Sequence, residues 1–195
     1  MLILFDGAVT DADVAALNRA GGRVDHRYGI VPAVAALLPQ AALDGLRHNP
    51  RVRAVEPDAR VVALDYRATH DWGIGHVRAD EVHASGNTGT TSAGSAARVA
   101  VLDSGIDCGH DELPVERCQL GPTYVEGTTS SDDDWGHGTH VAGSVAAERH
   151  VGLSTGVVGV APSAHVTAYK VLDDQGYGSI SDVIAAVDAV WNGGA

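Results

Sequence analysis

Apolar and polar residues in the first sixty positions follow a pattern that is typical of a small sheet covered by two helices. Four segments have the length and pattern of strands: residues 2–5, 23–30, 33–37 and 52–55. Two segments between them have the pattern of helices: residues 11–20 and 40–48. Asp11 or Asp13 can cap the first of these helices, and Gly21 ends it. The order of the elements predicts a split βαββαβ unit.

The residues after position 72 follow a different pattern. Residues 98–102 form a short apolar run without alternation, as expected for a strand that is covered on both faces, and residues 164–172 are a second strand candidate. Three segments have helical character: residues 77–84, residues 137–147, and a helix capped by Ser179 or Ser181 and ended by Gly193. Strands that alternate with helices predict a parallel, three-layer α/β sheet. We therefore expect two domains, an α+β ferredoxin-like domain over residues 1–64 and an α/β domain over residues 65–195.

Charge and composition narrow the classes of partner. The 195 residues carry a formal net charge of −12, with 25 acidic residues against 13 Lys and Arg. An acidic surface argues against nucleic acid or an anionic membrane as a partner, because both are bound through Lys and Arg patches. The sequence contains no run of the roughly 20 apolar residues that a membrane span needs. The first residues also lack the basic and apolar pattern of a signal peptide.

The two cysteines, Cys108 and Cys118, are compatible with either an oxidising or a reducing compartment. A disulfide bond between them would close a short loop in a secreted protein, whereas two free thiols suit a reducing compartment. Their spacing alone does not decide between the two.

Two strings carry candidate catalytic side chains. Asp103 follows the apolar run Val99-Ala-Val-Leu, and functional residues collect at the carboxyl ends of strands in α/β sheets. His137 opens a helix in the string Gly136-His-Gly-Thr-His-Val-Ala-Gly143. A carboxylate that accepts a hydrogen bond from one ring nitrogen leaves the other nitrogen free to take a proton from a hydroxyl, which is general-base chemistry. The pair therefore predicts two of the three groups of a serine-hydrolase triad.

Both strings resemble the Asp and His motifs of the subtilisin-like serine peptidases, the subtilase family. Gly159-Val-Ala-Pro162 and Tyr169-Lys-Val-Leu172 resemble the family's next segment. The resemblance implies a serine endopeptidase that acts on peptides and proteins, with Asp103 and His137 as catalytic residues. It also implies five substrate-binding residues. The backbone of Gly176, Tyr177 and Gly178 would pair with an extended peptide, and Leu172 and Ile180 would line an apolar pocket for a substrate side chain.

Residues 2–64 resemble the propeptide of the same family. The resemblance rests on short strings along the segment, among them Gly21-Gly-Arg-Val24, Asn49-Pro-Arg-Val52 and Val55-Glu-Pro-Asp58. It implies a domain that helps the catalytic domain to fold and then inhibits it. The tail, residues 61–64, would lie in the active-site groove as an added strand, with autocleavage near Leu64-Asp65. By the same resemblance the protein would be secreted.

The nucleophilic serine of this family is absent from the 195 residues. The family places it in a Gly-Thr-Ser-x-Ala string well after the His motif. The similar string Gly89-Thr-Thr-Ser92-Ala93 precedes Asp103, and Ser144 lies inside the helix that His137 opens. We therefore expect a C-terminally truncated chain with an incomplete sheet and no activity of its own. The alternative is a non-catalytic inhibitor or chaperone of a related peptidase.

Metal binding is left open by the sequence. Members of the family often bind calcium, and the resemblance places Glu112 at a ligand position, but the later ligand loop, residues 148–156, departs from the family pattern. The acidic run at residues 132–134 could hold a hard cation or form a solvated loop. His137 and His140 lack the HExxH spacing and the third ligand of a zinc site. Calcium is accordingly an expectation that rests on resemblance alone.

Overall fold

The computed structural model of the chain describes residues 1–63, 73–148 and 156–193. Within these ranges the chain folds as two compact units. The first joins Met1–Val61 to the C-terminal helix, and the second runs over Val62–Gly178. Leu64 and Asp65 lie outside the described residues, so the division into residues 1–64 and 65–195 stays a prediction.

The helices and strands follow one another along the chain in a fixed order. They are β1 (Leu2–Phe5), α1 (Asp11–Arg19), β2 (Arg23–Arg27), β3 (Ala33–Leu37), α2 (Gln40–Arg47), β4 (Val52–Glu56), β5 (Arg60–Val62), α3 (Gly73–His76), α4 (Ala79–Ala84), β6 (Arg98–Asp103), β7 (Cys118–Thr123), α5 (His137–Ala146), β8 (His165–Lys170), β9 (Tyr177–Ser179) and α6 (Ile180–Gly193). The short strands β5 and β9 form a separate two-stranded sheet.

The first unit is built on an antiparallel sheet. Among the described residues, four strands pair in the order β2-β3-β1-β4. This is the predicted split βαββαβ arrangement, which is thereby confirmed. β1 lies inside the sheet, and its Ile3 is fully buried in a cluster with Leu17 of α1 and Leu46 of α2.

The cap of α1 is Thr10, and the prediction of Asp11 or Asp13 is wrong. The Thr10 Oγ1 accepts the N–H of Asp13 at 3.3 Å, while Asp13 Oδ2 accepts the N–H of Thr10 at 2.8 Å. This reciprocal pair is a capping box. Asp13 is buried and also accepts a hydrogen bond from Arg51 Nε at 2.9 Å, which holds the pKa of Asp13 well below its ordinary value.

β2 ends three residues before the predicted strand does. Tyr28 is buried beyond the end of β2, and its hydroxyl donates to the carbonyl of Ser181 in α6 at 3.1 Å. Asp188 of the same helix accepts the N–H groups of residues 29 and 30 at 3.0 and 2.8 Å. Contacts with α6 therefore satisfy backbone groups that a longer strand would have paired.

The cap of α6 is Ser179, one of the two predicted caps. Its Oγ accepts the N–H of Asp182 at 3.2 Å. Ser181 lies in the first turn, where its N–H and hydroxyl donate to the Asp58 carboxylate at 3.0 and 2.6 Å. A carboxylate is stabilised at a helix N-terminus, so Asp58 fixes the chain after β4 to the start of α6.

The second unit is built on a parallel sheet. Within the described ranges its strands pair in the order β6-β8-β7, and both pairings are parallel. The predicted parallel sheet is thereby confirmed. A buried core that includes Val166 and Ala168 of β8 packs against Ala142 of α5.

Two elements of the second unit differ from the predicted pattern. β7 is not among the predicted strands. It contains Gly121 and Pro122, which disfavour strand structure. It forms a strand because it pairs with β8. The helical stretch predicted over residues 77–84 corresponds to α4, which begins two residues later than predicted, at Ala79. Arg78 has a left-handed backbone with φ of 59° and separates α3 from α4.

A disulfide bond joins Cys108 to Cys118. It links the loop after β6 to the first residue of β7, and both cysteines pack against the core of the second unit. Of the two alternatives that the sequence leaves open, the structure has the disulfide.

Removal of this disulfide is expected to destabilise the second unit. The two cysteines are 10 residues apart, and closing a loop of that size is worth about 3 kcal/mol in the chain-entropy model. The Cys108→Ser/Cys118→Ser variant should lose that much free energy of unfolding in a denaturant titration followed by circular dichroism. A reducing agent should bring the unchanged chain to the stability of the variant and leave the variant unaffected. Equal stability of the two chains under oxidising conditions would contradict the prediction.

Candidate active site

Asp103 and His137 are in direct contact in the second unit. Asp103 is the last residue of β6, and His137 is the first residue of α5. His137 Nδ1 lies 2.7 Å from Asp103 Oδ1. A carboxylate can only accept, so Nδ1 carries the shared proton and Nε2 is the nitrogen that can accept another. The side chains are 11% exposed for Asp103 and 23% exposed for His137, so the pair is shielded from water but still reachable.

The backbone around Asp103 is held by β8. Asp103 lies beside Lys170 in the parallel register. Its carbonyl accepts the N–H groups of Val171 and Leu172 at 2.8 and 3.1 Å, and its Oδ1 accepts the N–H of Ser104 at 2.7 Å. Pairing of β6 with β8 therefore fixes both the main chain and the carboxylate at the carboxyl end of the sheet.

Two glycines allow α5 to approach the end of β6. A Cβ at Gly138 would lie 2.0 Å from the carbonyl oxygen of Gly105. Gly105 has φ of 112°, and a Cβ there would lie 2.5 Å from the carbonyl oxygens of residues 131 and 132. A side chain at either position would push the helix and the loop apart. The glycines of the two motifs are thus what lets His137 reach Asp103.

Asp133 holds the first turn of α5 from the preceding loop. Its Oδ1 accepts the N–H of Gly136 at 2.9 Å, and its Oδ2 accepts the N–H of Thr139 at 2.8 Å. The N-cap residue, Gly136, has no side chain, so Asp133 supplies the acceptors that the helix start needs. Ser104 Oγ donates to the same carboxylate at 2.8 Å. The sequence analysis considered Asp133 only as part of the acidic run at residues 132–134 and did not predict it as a helix cap.

The charge of Asp133 is set by two opposing effects. Burial raises the pKa of the Asp133 carboxyl. Hydrogen bonds from Thr139, Gly136 and Ser104 outweigh burial, so the pKa of Asp133 lies below its ordinary value. The carboxylate that caps α5 is therefore kept ionised.

Trp135 covers one side of the histidine ring. The ring centroids of Trp135 and His137 are 5.3 Å apart with 27° between the planes. The same indole lies against Gly176, where a Cβ would come within 2.7 Å of Trp135 Cη2. Trp135 thus touches both the imidazole and the segment predicted to bind substrate. A large aromatic residue two positions before the candidate catalytic His was a signal in the sequence that our prediction did not use.

The structure places the five predicted substrate-binding residues in two different units. The predicted residues are Leu172, Gly176, Tyr177, Gly178 and Ile180. The Gly176 carbonyl accepts the N–H of Ala63 at 2.9 Å, so a segment of the chain itself binds where an extended peptide was predicted. Leu172 is buried, and its Cδ2 lies 3.1 Å from where a Cβ on Gly178 would be. Ile180 belongs to the first unit and packs against a cluster that includes Tyr28.

Two serines near His137 are engaged in other contacts. Ser104 is fully buried, and its Oγ donates to Asp133 and accepts the N–H of Gly138 at 2.9 Å. Ser144 is seven residues along α5 from His137, about 10 Å along the helix axis. Its hydroxyl donates to the His140 carbonyl at 3.2 Å. Neither hydroxyl is placed to act as the nucleophile.

The described residues contain no cluster of three or more His, Cys, Asp and Glu side chains of the kind that holds a metal ion. Glu112 and His140 therefore do not belong to such a cluster. The Glu112 carbonyl accepts the N–H of Glu148 at 2.9 Å. Residues 149–155, most of the loop considered for calcium, lie outside the described part of the chain. Calcium therefore stays an expectation from resemblance.

Comparison with known proteins agrees with this geometry. Residues 94–195, which include Asp103 and His137, match the subtilase family. The chain belongs to that family. It is 39% identical over 173 residues to subtilisin E of Bacillus subtilis (strain 168), which covers 88% of this chain and 42% of that protein. It is 37% identical over 169 residues to an alkaline protease of Shouchella clausii, which covers 87% of this chain and 41% of that protein.

The match to the subtilase family confirms the family that the Asp and His motifs predicted. The parallel sheet agrees with the predicted α/β fold class. The chain spans about 42% of the length of subtilisin E.

Replacement of Asp133 by Asn is expected to loosen the start of α5. An amide has one oxygen and one NH2 group, and the NH2 group cannot accept the N–H of Thr139. Asp133→Asn should therefore lower the free energy of unfolding of the second unit by about 1 kcal/mol. Amide hydrogen exchange at Gly136 and Thr139, followed by NMR, should become faster. Asp132→Asn, a change at an exposed neighbour in the same loop, is the control and should alter neither quantity.

The pH dependence of this effect has a definite sign. Because the folded pKa of Asp133 is lowered, its contribution to stability is fully present above the ordinary pKa of about 4. It is lost as the pH falls through the folded value. The unchanged chain should thus lose more stability than Asp133→Asn when the pH falls below about 4. Parallel acid unfolding curves for the two chains would contradict the assignment.

Proposed function

We propose that this chain is part of a serine endopeptidase precursor that cleaves peptide bonds with an Asp-His-Ser triad. The observation that carries the proposal is the 2.7 Å contact between His137 Nδ1 and Asp103 Oδ1 at the carboxyl end of a parallel strand. Membership of the subtilase family supports it.

In this proposal His137 acts first as a base and then as an acid. Nε2 takes the proton of a serine hydroxyl while the serine oxygen bonds to the carbonyl carbon of the substrate. Asp103 stabilises the imidazolium through the Nδ1 hydrogen bond and holds the ring in place. The imidazolium then donates its proton to the leaving amine, and an acyl-enzyme remains. Water hydrolyses the acyl-enzyme with His137 again as the base.

The serine of this mechanism would come from residues outside the chain. The family string is absent from the 195 residues, and Ser104 and Ser144 are engaged in other contacts. β6 is an outer strand of the described sheet, and an apolar hollow of about 510 Å³ lies beside His137. Val99 of β6 and Val141 of α5 line it. Folded proteins usually cover an open strand edge and an apolar hollow, which supports further polypeptide at this place.

Peptide substrates would bind to this protein as an added strand. The hydrogen bond from Ala63 N–H to the Gly176 carbonyl supports this mode of binding, and the Trp135 ring lies against the same glycine and against His137. These contacts support autocleavage near Leu64-Asp65.

Residues 1–64 would serve as the folding aid and inhibitor of the catalytic part. The first unit joins the N-terminal sheet to α6, and α6 belongs to the segment that matches the subtilase family. Asp58 and Tyr28 bind α6 by hydrogen bonds, and Ile184 of α6 packs on the sheet. The alternative function, a non-catalytic inhibitor of a related peptidase, rests on the same contacts.

We also propose that the protein is secreted. A disulfide bond is typical of proteins in oxidising compartments, and Cys108 is bonded to Cys118. In the described part of the chain, none of the helices has both the length and the apolar character needed to cross a membrane.

The triad is tested with the gene that encodes this chain, read beyond the codon for Ala195. The longer product should be labelled by a fluorophosphonate probe at a serine in a Gly-Thr-Ser-x-Ala string, since only an activated serine reacts with it. His137→Ala should reduce the labelling rate by several orders of magnitude, about 10⁴-fold or more. The 195-residue chain should not be labelled. Labelling of the 195-residue chain that is lost in His137→Ala would contradict the proposal, as would a longer product without the serine string.

The inhibitor role is tested with residues 1–64 against subtilisin E. Residues 1–64 should inhibit hydrolysis of a peptide substrate at micromolar concentration, because the sheet and the tail bind together. Residues 1–58 keep β1 to β4 and lack the tail, so they are the matched control. They should inhibit at least about tenfold less well, because each lost backbone hydrogen bond contributes about 1 kcal/mol. Equal inhibition by the two peptides would contradict binding of the tail in the groove, and no inhibition by either would contradict the role itself.

A further inference from the structure

Lys170, the last residue of β8, is fully buried. A buried ammonium group is costly unless every partner is in place. The Lys170 Nζ donates to the Ser104 carbonyl and to Asp134 Oδ1, the latter at 2.6 Å. The Asp134 side chain is half exposed, so it closes the solvent side of the buried cation.

The two partners of Lys170 flank the Asp-His pair. Ser104 follows Asp103 directly, and Asp134 lies three residues before His137. Lys170 is itself the residue opposite Asp103 in the register of β6 and β8. One cation therefore joins three segments: the end of β8, the turn after β6 and the loop that leads into α5.

We propose that Lys170 and Asp134 are positioning residues that set the distance between Asp103 and His137. This inference rests on the proposed function, in which that pair is catalytic. The Lys170 ammonium holds the turn at Ser104 and the loop at Asp134 together by directional hydrogen bonds. Asp103 directly precedes that turn, and His137 follows that loop. We name this set of contacts, Lys170 with Ser104 and Asp134, the lysine clamp.

Stability alone does not account for the lysine clamp. A buried ion pair is often no more stabilising than apolar residues of similar volume, because desolvation offsets the attraction. An apolar side chain at position 170 could fill the space, but it would leave the Ser104 carbonyl without this donor and free the Asp134 loop. The directional contacts are what an apolar residue cannot supply.

The lysine clamp is tested by proton NMR on the 195-residue chain, which needs neither the serine nor a substrate. A proton held between His137 Nδ1 and the Asp103 carboxylate gives a far-downfield resonance. Asp134→Ala removes the half-exposed end of the clamp and should not prevent folding. We expect the resonance to be lost or to exchange with water at least about tenfold faster, because the loop opens more readily. Lys170→Met should have the same effect where it folds, and Asp134→Glu, which keeps the carboxylate, should restore the signal.

Two controls separate positioning from general stability. Asp132→Ala changes an exposed acidic residue in the same loop, and Cys108→Ser/Cys118→Ser destabilises the same unit away from the lysine clamp. Both should leave the His137 resonance in place. A resonance that survives unchanged in Asp134→Ala would overturn the clamp and leave the proposed triad standing. Absence of the resonance from the unchanged chain would instead contradict the Asp103–His137 bond, and with it the proposed function.

Discussion

The contact between Asp103 and His137 depends on the parallel pairing of β6 with β8. That pairing ends with Asp103 opposite Lys170, and the Asp103 carbonyl accepts N–H groups from the chain just beyond β8. The carboxylate is thus presented at the carboxyl edge of the sheet with its backbone already fixed. His137 completes the pair because glycines at positions 105 and 138 permit the start of α5 to come close.

The polar groups beneath the Asp-His pair form a connected support. Asp133 caps α5 and accepts the Ser104 hydroxyl, while the Lys170 ammonium reaches the Ser104 carbonyl. Buried polar groups are costly when unpaired, and here each partner satisfies another. The same hydrogen bonds connect the segment that carries Asp103 to the segment that carries His137. One network therefore both satisfies the buried polar groups and holds the Asp-His pair in place.

The N-terminal sheet shows where local patterns succeed and where they fail. Its strands and helices appear at the expected places because each has its own periodicity and its own turn residues. The strand over residues 23–30 ends early because Tyr28 and the next residues bind α6, more than 150 residues later in the chain. In the second unit, β7 is formed by pairing with β8 although its own composition disfavours a strand. Both departures come from partners distant in sequence.

The sequence by itself determined the family, the order of elements in the N-terminal sheet, the parallel α/β class and the two residues that meet as Asp103 and His137. These follow from short strings and from hydrophobic periodicity, which are local properties of the chain. The tertiary structure decided the cap of α5 by Asp133, the cover of His137 by Trp135, the disulfide, the contacts of Lys170 and the placement of Ile180 with the N-terminal sheet. Each of these depends on which distant segments the sheet and helices bring within a few ångströms, and no local pattern encodes that distance.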